Sequence, residues 1–93
     1  CTNPGLVITL AGAATETLIA DIATRFAAAP VGVLLGEGVQ RNMKFAVETL
    51  VRHGAKLLTG GHPVSAPGYR FENTLLRVTG ADFLRHPQLL QTE

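Results

Sequence analysis

Leu6-Val7-Ile8-Thr9-Leu10 is an almost unbroken apolar, partly β-branched run. Such a run reads as a strand covered on both faces, the kind found in parallel sheets. Gly12 breaks it. From Thr15 to Ala29 the period changes: Leu18, Ile19, Ile22, Ala23 and Phe26 recur at steps of three and four, giving one apolar stripe on a helix that Pro30 ends. Val31 to Gly38 reads as a glycine-bent connection. Val39 to His53 is the clearest helix, with Val39, Met43, Val47, Leu50 and Val51 on one face. Arg52 and His53 fall in its last turn, where cations offset the helix dipole, and Gly54 suits a left-handed cap.

Beyond that cap the pattern shortens. Ala55 to Leu58 predicts a short strand ending at Gly60-Gly61, and His62 to Gly68, with two prolines, predicts an exposed loop. Tyr69–Phe71 and Thr74–Val78 read as extended. Thr79-Gly80-Ala81-Asp82 has the form of a capping box opening a short helix that Pro87 terminates. The order strand, helix, helix, strand, strand, short helix predicts an α/β fold, a mostly parallel sheet covered by helices. No internal repeat interrupts it.

Composition adds a missing neighbour to this picture. The chain has 93 residues, room for one domain, and is 46% hydrophobic with only 16% charged residues. A soluble domain ordinarily carries about 25% charge, so part of this surface is expected to be covered by something else. Net charge is +1, with eight basic and seven acidic residues scattered along the chain, so no basic stripe offers itself to nucleic acid. No apolar run is long enough to cross a bilayer. One cysteine excludes an internal disulfide and suits a reducing, cytoplasmic compartment. That cysteine is Cys1, where a methionine would stand in a complete product, so the sequence reads as processed or as a piece of something longer.

Candidate chemistry is sparse. Val31-Gly32-Val33-Leu34-Leu35-Gly36-Glu37-Gly38 imitates the opening of a dinucleotide fold, but Arg41 fills the third small position and no acidic residue ends the next strand. Glu37 also disfavours an anion at the helix that follows. His53, His62 and His86 lack ligand spacing to one another or to Cys1, which argues against a metal site. Asp21 and Arg25, four apart, form an ordinary surface pair. Cys1 stands ahead of the first apolar run, where a thiolate nucleophile can be presented.

Taken together, several short pieces resemble one family. Cys1-Thr2-Asn3-Pro4-Gly5-Leu6-Val7 resembles the sequence beginning at the nucleophile of aldehyde dehydrogenases, in their semialdehyde branch. Gly54-Ala55-Lys56-Leu57-Leu58-Thr59-Gly60-Gly61 resembles the family's Gly-Ala-Lys-x-x-x-Gly-Gly strand, and Gly68-Tyr69-Arg70-Phe71-Glu72-Asn73-Thr74 its Gly-Tyr/Phe-x-x-x-Pro-Thr element. Leu90-Gln91-Thr92-Glu93 resembles the approach to the Glu-x-Phe-Gly-Pro motif. The spacings agree along the whole chain. Asn73 replaces the usual proline, a loop change that touches no chemistry, and Pro30 to Gly38 lacks the usual Asn-Pro-x-Asp pattern.

The resemblance implies that residues 1–93 form part of a catalytic domain, the cofactor-binding Rossmann domain lying outside this chain. It implies Cys1 as the catalytic nucleophile: the thiolate attacks an aldehyde, the thiohemiacetal yields hydride to NAD or NADP, and water hydrolyses the thioester to an acid. Glu93 is implied to bind the cofactor's ribose, and Thr2 and Asn3 to shape the substrate pocket. The closest branch is the 2,5-dioxopentanoate (α-ketoglutarate semialdehyde) type, a homo-oligomer with neither nucleic acid nor membrane as partner. The isolated chain is expected to be inactive. The competing reading is a non-enzymatic small α/β structural or interaction module.

Overall fold

The computed structural model describes residues 5–87. Its elements run α1 (Ala13–Ala28), α2 (Glu37–Arg52), β1 (Lys56–Thr59), β2 (Pro63–Val64), β3 (Arg70–Phe71), β4 (Leu75–Arg77) and α3 (Gly80–Arg85). This is a mixed helix and strand chain, but not the parallel sheet that the element order predicts. β1 pairs antiparallel with β4, and β2 pairs antiparallel with β3. A parallel pair needs a long crossover, usually a helix, and none lies between Thr59 and Leu75. That interval is instead folded back as the β2–β3 hairpin. Leu57 faces Leu76 while Thr59 faces Leu75, so Leu58 is the extra residue of a bulge in β1.

Two further expectations are corrected. Leu6 to Leu10 forms no strand; Ile8 and Leu10 are 85% and 89% exposed, and no strand among the described residues pairs with them. A strand-like sequence stays unpaired where no edge is offered to it. The supposed loop His62–Gly68 contains β2, because Pro63 and Val64 lie opposite Phe71 and Arg70. Proline is tolerated there since a two-residue edge strand needs no donor at that position.

The helices follow their sequence signals closely. Pro30 follows the end of α1 directly, the C-cap being Ala29 in an extended conformation. Half-buried Ile19, Ile22 and Ala23 turn α1 toward β1. In α2 the inward row is Met43, Ala46, Val47 and Leu50, and Gly54 after it adopts φ +105°. α3 opens as its cap pattern predicts: Thr79 Oγ1 accepts from the Asp82 N–H at 3.1 Å.

The core is thin. Val47, Ala55 and Phe71 are the buried hydrophobic residues among those described. The accessible surface is 6914 Å², against roughly 5,200 Å² expected for a compact monomer of this size. Leu35 is fully exposed, and Phe45 and Leu84 are mostly so.

Polar ties carry much of the long-range geometry. Arg77 clasps Glu16 through two hydrogen bonds of 2.7 and 2.5 Å, joining β4 to the first turn of α1. The Arg77 hydrogen bond, more than its charge, holds the Glu16 carboxyl below its ordinary 4.5, against the opposing effect of desolvation. A depressed carboxylate contributes stability that is present above its unfolded pKa and lost as pH falls through the folded one. Glu16→Gln is therefore expected to lower the unfolding temperature at neutral pH. The gap from wild type should close as pH is taken below about 4.5. Thermal unfolding across that range checks it; a gap independent of pH would assign the loss to packing.

Candidate functional site

The residues singled out for chemistry, Cys1, Thr2, Asn3 and Glu93, lie outside the described residues. The described chain begins just after the first three of them, with Gly5, and runs exposed through Leu10, whose carbonyl accepts the Thr15 hydroxyl at the start of α1. This contact ties Leu10 to the first turn of α1.

The connection between α1 and α2 is organised by Arg70. Its guanidinium donates to the Val31 carbonyl at 2.6 Å and to the Pro67 carbonyl at 3.0 Å. Its own carbonyl accepts from Gln40 Nε2 at 2.6 Å, and the Leu34 N–H donates to Tyr69 O at 2.7 Å. Val33 thereby bridges antiparallel to Arg70, which pairs with Val64 of β2 as well. Val31 to Leu34 is thus a segment pinned to the hairpin, and the Gly-x-Gly that follows, Gly36-Glu37-Gly38, is the cap and first turn of α2. Sequence reading passed over Arg70 because a lone arginine in a hairpin carries no motif; its role arises from carbonyls 3 and 39 positions away.

Asn73 is the second residue whose work lies in the fold. Its side-chain amide donates to the carbonyls of Ala29 (3.2 Å), Pro30 (3.3 Å) and, more weakly, Phe26 (3.5 Å). These belong to the end of α1, where carbonyls lack helical partners. The Asn73 position is therefore more than a neutral loop change: a proline there has no amide to give. Asn73→Ala is expected to cost about 1 kcal/mol, the usual net worth of an accessible hydrogen-bonded group. Asn73→Asp should cost more, since it turns a carboxylate oxygen toward three carbonyls. Denaturant unfolding of the two variants checks the order; equal midpoints for Asp and wild type would dismiss the cap.

Beside Asn73 lies a cavity of about 110 Å³, lined by Phe26, Val31, Thr59 and Glu72 among others. Ligand pockets occupy roughly 300 Å³ or more, so this one fits neither a dinucleotide nor an aldehyde with its cofactor. The hollow along Arg41, Asn42, Lys44, Phe45 and Glu48 is an open face of α2 alone.

The histidines occupy structural stations. His53 caps α2 and its Nδ1 lies 2.7 Å from Thr49 O. His62 meets Glu72 through both its ring and its N–H, at 2.9 and 3.1 Å, closing the base of the β2–β3 hairpin. His86 ends α3, and its ring packs 5.4 Å from that of His53, a proximity that sequence spacing did not anticipate. Among the described residues no group of three His, Cys, Asp or Glu side chains is placed to hold a metal ion. Asp21 and Arg25 pair at 3.1 Å on the exposed face of α1. No helix among those described is long and apolar enough to cross a membrane. No family model, curated protein or solved structure matches the chain.

Proposed function

We propose that this chain is the part of an NAD(P)⁺-dependent aldehyde dehydrogenase catalytic domain running from the nucleophile, Cys1, to the cofactor-ribose glutamate, Glu93. The observation that carries the reading is the order and spacing of its sequence elements: Cys-Thr-Asn-Pro-Gly, then Gly-Ala-Lys-x-x-x-Gly-Gly, then Gly-Tyr-x-x-x-Asn-Thr, then Glu93. The antiparallel pairing departs from the parallel sheet this reading implies, while one of its sequence elements does fall on a strand. Residues Lys56 to Thr59 of the second element form β1, and Gly60-Gly61 that follow make its tight exit. The exposed run Leu6–Leu10 and the thin core supply apolar surface for the rest of a larger domain to cover.

In this reading Cys1 acts as a thiolate. Its sulfur adds to the aldehyde carbonyl, and the acyl group later leaves as carboxylate when water attacks the thioester, so one difficult oxidation becomes two easier steps. NAD or NADP would accept the hydride, held mainly by parts of the protein outside this chain. Thr2 and Asn3 line the substrate side, and a semialdehyde such as 2,5-dioxopentanoate is the preferred substrate class.

The test uses the complete gene product. Its coding sequence is read on both sides of Cys1 and Glu93, and the purified protein is assayed with 2,5-dioxopentanoate and with a long-chain aldehyde. Aldehyde-dependent reduction of NAD⁺ or NADP⁺ is the expected result. The 93-residue chain alone is expected to give none. A complete product that carries these residues, yet reduces neither cofactor with any aldehyde, returns the chain to the class of non-catalytic modules.

A further inference from the structure

We draw no further inference here: the strongest candidate, the exposed apolar segment Leu6–Leu10 ahead of α1, carries nothing because nothing in the structure shows what covers it.

Discussion

Replacing Gly60 by alanine is expected to destabilise the chain by about 3 kcal/mol, combining a strained backbone with a steric overlap. Gly60 has φ +79°, a conformation an L-residue adopts only at a cost of roughly 1–2 kcal/mol. A Cβ built there would also lie 2.2 Å from the Asn73 carbonyl oxygen and 2.8 Å from Thr74 Oγ1. The first of these is backbone and cannot swing aside. Thr74 Oγ1 accepts the Gly61 N–H at 3.0 Å and donates to Glu72 O at 2.8 Å, so any retreat breaks the turn that aligns β4 with β1. Asn73 would be dragged from the end of α1 with it.

For a chain with so thin a core, total stability sits near the lower end of the usual range, about 5 kcal/mol, and a loss of 3 leaves little. The unfolding temperature should fall by about 15 °C. Gly54→Ala provides the internal standard. Its φ is also positive, at +105°, yet the nearest atom to an added Cβ is the Asp82 carboxylate at 3.6 Å, an ordinary contact. It should therefore show only the backbone cost, roughly 1–2 kcal/mol. Thermal melts of both variants decide the matter: if the two fall equally, the close approach of Asn73 to Gly60 is not what restrains this turn.

The difference between these glycines also marks where sequence stops informing about structure. Gly54 was readable because it follows a helix whose last turn is basic, and cap signals are local. So were α1, α2 and the Thr79 cap, each set by spacing within one element. The sheet was not, because strand direction depends on what connects the strands. The apolar quality of Leu6–Leu10 suggested a buried parallel strand, and composition is silent about whether a neighbouring edge exists. Yet the absence of a helix between Lys56–Thr59 and Leu75–Arg77 was visible in the sequence and already favoured antiparallel pairing. Arg70 and Asn73 were illegible for a different reason. Their partners are main-chain carbonyls, which carry no residue identity, so no motif can announce them. The candidate site was legible only as a resemblance: it rests on Cys1, Thr2, Asn3 and Glu93, which lie outside the described residues.

On the proposed reading, Cys1→Ala in the complete gene product is expected to lower kcat/KM for aldehyde oxidation by at least about 10³-fold, because removing a nucleophile abolishes the covalent route rather than weakening it. Cys1→Ser should recover little, since a hydroxyl near neutral pH is a far poorer nucleophile than a thiolate. The loss must fall on chemistry and not on folding, so both variants should melt within about 1 °C of wild type. Brief reaction of the wild-type protein with aldehyde and oxidised cofactor, quenched in acid, should leave an acyl mass on the peptide that contains Cys1, and the alanine variant should carry none. Glu93→Gln separates the two roles. It should raise KM for the dinucleotide about tenfold, the worth of a charge-assisted hydrogen bond, while the acyl mass on Cys1 still forms. Retained turnover in Cys1→Ala would remove the nucleophile from this chain altogether. Acylation of wild type without a cofactor effect in Glu93→Gln would keep Cys1 and discard Glu93, because the thiolate's attack and the ribose contact are independent claims resting on opposite ends of the sequence.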